Sequence, residues 1–434
     1  MTFFIMEPSL RDEGGHHFEF ASTIAANSGS NPDDVVIFAH KNCTLSYANG
    51  AKIIPWFSDH IHQDVKSQIA YNFSNFLHFN RSLYRDLSGL ISDYRFGSGD
   101  IVLFPTISEN QLWAIVRWAE RFKTNDSPVV ICYLMFSPDL FAERGEGSMV
   151  VNERTFFYKL SLRKILSTGS PVVAFAGGRQ LAREYSALMQ SEIKPHPVPI
   201  SISATKEHVM AAKRPNVLLH AGTAKEDKGF LLLPELVERL TKEHPGDHFL
   251  MHADFRSEAT TPPEMTQAYA RLRDVCEMRD NFTLTVGALK RDGYLSLIAQ
   301  ADCYICTYDP RVYARKTSGV VWEAISLGLP ILGPSNTFIQ REALEWRAGF
   351  MPYSVWSADS ISEAYSLFRR ELNRLAVLSL AAKKQFIAAN DGASLTAHFE
   401  ECANTARGLP FQGKMTTPLL LAWLSFRIRR KLKR

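Results

Sequence analysis

No apolar run in the 434-residue sequence approaches the ~20 residues that a membrane-spanning helix needs; the stretch Leu419–Leu424 near its end is far too short. Cysteine is sparse, six residues at scattered positions. That excludes a disulfide framework and suits a reducing compartment. Cys303 and Cys306 have redox or metal-ligand spacing. Residues three apart in a strand point to opposite faces, however, and no second pair completes a site. The dinucleotide fingerprint, the Walker loop, the Gly-x-Ser-x-Gly elbow and His-Glu-x-x-His are all missing, which removes the function classes that depend on them. Asp100 and Asp139 are isolated, so no Asp-x-Asp metal pair stands out. The start, MTFFIMEP, has no basic region of the kind that opens a secretory signal. A cytoplasmic protein is expected. The net charge is only +4, and the last eight residues, RIRRKLKR, hold six basic ones. The remainder is slightly acidic, which excludes a nucleic-acid-binding body.

What is present is a globular composition, 46% hydrophobic and 22% charged, in a chain long enough for two domains. Short apolar runs such as Phe3–Met6, Ile101–Phe104, Val129–Met135 and Val172–Phe175 alternate with helical patterns. This alternation predicts α/β architecture with doubly wound parallel sheets. The proline-studded run KPHPVPI from Lys194 cannot be helical. It divides a first domain, 1–200, from a hinge at 201–214 and a second domain at 215–410, with a basic amphipathic helix at 411–434. That helix, from 418 on, is a candidate contact with anionic membrane. Apolar spacing also predicts an amphipathic helix over Ala358–Asn390.

The most informative stretch is Asp302–Pro334. It reads as a buried strand, a polar loop, a helix opening near Ser318, a Gly-Leu-Pro break and a second buried strand. Ser318 and Gly319 put backbone N–H groups at the positive end of a helix, where a phosphate can be held. Earlier, the segment GTAKEDKGF gives a strand, a loop with Lys228, and a helix. An ammonium beside helix N–H groups can stabilise a leaving pyrophosphate. In the first domain, Gly14 and Gly15 form a loop after the first strand, and His16 and His17 start the next helix. One of these histidines is a candidate base or acceptor contact; solvent-facing polar residues of a helix start are the other reading. Asp139, after a strand end, is a further candidate.

The string SGVVWEAISLGLPIL, Ser318–Leu332, resembles the donor-site signature of GT-B glycosyltransferases, especially the retaining family 4 type. The resemblance implies two Rossmann-like domains facing a central cleft. It implies transfer of a sugar from a UDP- or GDP-linked donor to a glycan, lipid-linked or other acceptor, with retention and with neither metal nor cofactor. Glu323 then corresponds to the carboxylate that binds the ribose. Arg315 stands where the family has a second Glu, eight positions earlier. Lys228-Gly229 matches the family's Lys-Gly element, and Thr223 stands in place of its Arg, with Lys225 near enough to compensate. Gly14 and Gly15 resemble a loop that borders the donor phosphates or the acceptor. Other readings are a sugar-nucleotide epimerase or phosphorylase, or a silent GT-B-like subunit that binds a nucleotide sugar or a partner glycosyltransferase. The sugar-transfer reading requires Lys228 and the Ser318 amides to converge on one diphosphate.

Overall fold

The structure, a computed structural model, describes residues 2–13, 15–28, 31–59, 73–122, 127–138, 152–168, 172–198, 214–255, 261–314 and 316–407. Gly14, Asp139, Arg315, the hinge at 201–213 and the basic tail at 408–434 lie outside them. The chain divides into two compact units, Met1–Ile200 with Asn390–Arg434, and Ser201–Ala389.

The first unit opens with β1 (Phe3–Glu7), α1 (His16–Ala26), β2 (Val35–His40), β3 (Tyr47–Ala48) and β4 (Ala51–Phe57). It continues with α2 (Phe73–Asp93), β5 (Ile101–Ile107), α3 (Glu109–Ala119) and β6 (Val129–Leu134). Then come α4 (Glu153–Thr168), β7 (Val172–Gly177), α5 (Arg179–Met189) and β8 (Pro195–His196). The strands form one sheet in the order β3-β4-β2-β1-β5-β6-β7-β8. Every pairing is parallel except the β3–β4 hairpin. Helices cover such sheets on both faces, which is why β1, β5 and β6 are buried along their whole length. β5 runs on through Pro105, where the sequence ends it. Pro105 lacks the N–H a ladder needs, and the pairing with β6 shifts register between Phe104 and Ile107. A reciprocal capping box between Ser108 and Gln111 then starts α3.

The second unit contains β9 (Asn216–His220), α6 (Leu233–Glu243), β10 (His248–Ala253), α7 (Pro263–Met278) and β11 (Phe282–Val286). After these come α8 (Arg291–Ile298), β12 (Cys303–Ile305), α9 (Pro310–Tyr313) and α10 (Gly319–Leu327). It closes with β13 (Ile331–Pro334), α11 (Phe338–Glu345), β14 (Phe350–Tyr353) and the long α12 (Ala358–Asn390). The sheet is wholly parallel in the order β11-β10-β9-β12-β13-β14. α10 is apolar almost all round and is buried from Val321 to Leu327, as a helix inside a large core must be. Its Trp322 indole and that of Trp346 both donate to Glu342 Oε1, at 3.1 and 3.0 Å.

The last described helix, α13 (Gly392–Arg407), belongs to the first unit, whereas the sequence-based second domain extends to 410. Packing decides this. Leu395 and Phe399 are buried, Phe399 meets Phe3 edge-on at 5.0 Å, and Thr396 Oγ1 donates to Asn27 O at 2.8 Å. Two such side chains contribute roughly 1.5–3 kcal/mol each when fully buried, enough to hold the helix there.

Candidate functional site

Both sheets have their chain reversal beside the first strand of the unit. In the second unit the order, counted from β9, is third, second, first, fourth, fifth, sixth, so the switch point lies between β9 and β12. These strands pair only at Cys303–Val217 and Tyr304–Leu218, and beyond that their carboxyl ends part. Ligands of open α/β sheets sit in such a crevice.

The loop leaving β9 is fixed from two sides. Gly222 N donates to His252 Nδ1 at 3.1 Å, and His252 Nε2 donates to Gly287 O at 2.8 Å. His252 is therefore the neutral ring protonated at Nε2. On the other side, Thr307 Oγ1 donates to Lys228 O at 2.8 Å and Asp309 N to Asp227 O at 2.9 Å. Gly229 permits this stitch: its φ is +77°, and a Cβ there would lie 2.1 Å from Thr307 O. The result is a half-buried Lys228 whose Nζ lies 6.0 Å from the centre of the Tyr308 ring. Burial, and then the charges of Lys225 and Lys316, push its ammonium down to about 8, with Asp227 and Glu323 pulling the other way.

β12 leads through Thr307, Tyr308 and Asp309, which caps α9 by accepting from Arg311 N at 2.9 Å, to the start of α10. Ser318 is the N-cap residue, but its hydroxyl makes no cap bond and lies 3.4 Å from Tyr308 OH. Among the described residues no side chain closes the first turn of α10. Gly319 opens onto space, since a Cβ there would meet nothing within 4 Å. Lys228 and Ser318 therefore meet on the same Tyr308, and Lys316 pairs with Asp227 at 2.5 Å beside them. Thr223 forms a bridge with Asp254, and Lys225 is exposed with its carbonyl accepting from Lys228 N.

Glu323 is 9% exposed, with its carboxylate engaged by Tyr294 OH at 2.7 Å and Arg291 Nη1 at 3.0 Å. Both partners come from α8. Neither stands out in the sequence, because the contacts span 29 and 32 residues. Tyr294 is pushed well above its ordinary range by burial and by the Glu323 charge, so it is a permanent donor.

In the first unit the switch point lies between β1 and β5. Their pairing ends at Ile5–Leu103, and past it Glu7 and Thr106 face each other. Glu7 is fully buried and accepts from Thr106 Oγ1 at 2.6 Å and from Ser9 N at 3.1 Å. His17 Nδ1 lies 3.1 Å from the same carboxylate, and the His16 ring centre is 4.0 Å from that of His17. Gly15 caps α1. The β1–α1 loop is anchored where His40 N donates to Leu10 O and Thr44 N to Arg11 O. The structure thus joins His16 and His17 to a carboxylate that the sequence signals only as a charged end to an apolar strand.

Neither protein-family models nor curated protein sequences give a match to this chain. Solved structures do. Sucrose-phosphate synthase from Thermosynechococcus elongatus superposes with a TM-score of 0.60 at 10% identity, over 93% of this chain and 98% of that one. Alpha,alpha-trehalose 6-phosphate synthase from Burkholderia multivorans gives 0.64 at 9% identity, over 93% and 99%. HepE of Anabaena, in complex with UDP and glucose, gives 0.58 at 11% identity, over 93% and 100%. At such identities the likeness concerns architecture: two parallel-sheet α/β units in the GT-B fold.

Proposed function

We propose that the chain is a glycosyltransferase that moves a sugar from a nucleoside diphosphate sugar to a glycan, lipid-linked or other acceptor. One observation carries the reading: Lys228 and the uncapped start of α10 converge on Tyr308 at the β9–β12 switch point. A diphosphate placed there meets an ammonium and backbone N–H groups together, the pairing that stabilises charge as the sugar–phosphate bond breaks. Lys225 and Lys316 add positive charge around it. Arg315 is a third candidate, by its place in the sequence. Glu323, held by Arg291 and Tyr294, offers a fixed carboxylate edge to the ribose hydroxyls. The UDP and glucose of the Anabaena protein, and the UDP-2-fluoro glucose of a trehalose-6-phosphate protein of E. coli, fit a nucleotide-sugar donor here.

Turnover of a panel of UDP- and GDP-sugars in the presence of EDTA tests this. Protein cations do the neutralising, so chelation should leave the rate unchanged. Donor binding with no turnover would instead indicate a silent subunit. Gly319→Val provides a sharper local test. The protein leaves the space open, so stability should change by no more than about 1 kcal/mol. Donor affinity should fall at least about tenfold, ~1.4 kcal/mol. Unchanged affinity in calorimetry would place the diphosphate elsewhere.

A further inference from the structure

We propose that His252 is a positioning residue that joins the two halves of the donor site, the loop carrying Lys228 and the helix that holds Glu323, so that filling one half is felt at the other. This rests on the nucleotide-sugar reading and concerns a residue that touches no substrate.

β10 lies between β9 and β11, and His252 stands near its carboxyl end. The residue is 2% exposed, between Met251 and Ala253, which are both fully buried. An apolar side chain would suit that place, because a buried imidazole lowers stability unless both nitrogens are bonded. Both are. Gly222 N donates to Nδ1 at 3.1 Å, and Nε2 donates to Gly287 O at 2.8 Å. One ring therefore spans the loops that leave the strands on either side of its own. Both glycines have a φ of +95°, outside the range open to most other residues, so the ring bonds hold two special backbone turns. The end of β10 supports the same turns, with Asp254 N donating to Gly222 O and Gly287 N to Ala253 O, each at 3.0 Å.

Each ring bond leads on to a ligand group. A Cβ on Gly222 would lie 3.8 Å from Lys228 Nζ, so the backbone pinned by Nδ1 is the backbone beside that ammonium. On the other side, Gly287 opens the short connection to α8, whose Tyr294 OH and Arg291 Nη1 donate to Glu323 at 2.7 and 3.0 Å. The Tyr294 ring also meets the His252 ring edge-on, with centres 6.2 Å apart. Both nitrogens of His252 are engaged within the protein, and its influence on a donor passes through Lys228 and Glu323.

Two substitutions separate the bonds. Asparagine places its amide near Nδ1 and can accept from Gly222 N, whereas glutamine reaches the place of Nε2 and can donate to Gly287 O. In titrations of the full chain, His252→Asn should keep the affinity for inorganic pyrophosphate within about twofold and weaken that for uridine or guanosine about fivefold; His252→Gln should do the reverse. A merely structural histidine would lower the melting temperature and leave these affinities as they were. The unsubstituted protein, isotope-labelled for NMR, gives a readout that no folding failure can spoil. Pyrophosphate alone should shift the His252 Nε2 resonance, and the nucleoside alone should shift the Gly222 amide. Affinities unchanged or falling alike in both variants, or resonances indifferent to the distant ligand, overturn the inference and leave the donor site standing as long as UDP or GDP binds the unsubstituted protein. Failure of both nucleotides to bind removes the donor reading itself.

Discussion

Lys228→Met should lower donor affinity and turnover together, by about 10²–10³-fold, while making the protein more stable. The first half follows, on the sugar-transfer reading, from removing the ammonium that lies 6.0 Å from the centre of the Tyr308 ring, beside the proposed diphosphate position. The second follows from its proton equilibrium. Burial and two neighbouring lysines hold the ammonium at about 8, against an ordinary 10.5. The unfolded chain therefore binds more protons between pH 8 and 10.5, and stability rises with pH across that window. Below pH 8 the full cost of a charged Lys228 is present, at most ~3 kcal/mol by this measure. Methionine keeps the stem's packing and removes that cost. Donor affinity of the unsubstituted protein should also fall above pH 8, by up to tenfold per unit, as the cation is lost. Calorimetric titration across pH 7–9.5, with melting of both proteins at pH 7, measures all three effects. A variant that binds donor normally would show that the diphosphate does not rest on Lys228.

Much of this site can be read from residue order alone, for a physical reason. Strands buried in parallel sheets are short unbroken apolar runs, and the loops between them are marked by Gly, Pro and charge. Asp302–Pro334 shows both features, and α12 falls on the expected Ala358–Asn390. Lys228 can be singled out in the sequence because the ammonium, the glycine after it and the following helix are contiguous. Partnership was not legible. Glu323 reads as a carboxylate awaiting a ribose, and only the fold brings Arg291 and Tyr294 onto it. Glu7 reads as the end of a strand until Thr106, 99 residues away, donates to it. The same holds for α13: its sequence continues the amphipathic pattern of α12, and nothing before folding tells that its apolar face belongs against Phe3. Lys316, the neighbour of the Arg315 position that the signature singles out, pairs with Asp227, a partnership set by the fold across 89 residues.

Acid should weaken both units as their buried histidines are forced to take up protons. In the first, α13 docks through a ring cluster: His398 lies 4.5 Å from both Phe175 and His196, and His196 lies 4.6 Å from Tyr133. In the second, His220 ends β9 against Phe230. Burial first of all holds these imidazoles neutral, with Lys228 adding to it at His220 and His398 at His196, and with Glu401 opposing it at His398: His398 is down to about 4, His220 down to about 3, and His196 well below 6.5. Each has a folded pKa below the unfolded value. Its contribution is therefore complete above pH 6.5 and is lost as pH falls from 6.5 toward the folded value, at up to ~1.4 kcal/mol per unit per histidine. From pH 6.5 to 4.5 that amounts to roughly 2 kcal/mol each for His398 and His220, a large part of the 5–15 kcal/mol that stabilises a typical domain. The melting temperature should fall steeply over this interval, beginning near pH 6.5. Replacing His196 and His398 together with phenylalanine keeps the aromatic packing and removes the titration, so the first unit's share of the fall should vanish. Calorimetric scans at pH 7, 6, 5 and 4.5 decide the matter: a melting temperature that stays level for the unsubstituted protein would mean that these rings are protonated in the folded state and that α13 is held by other contacts.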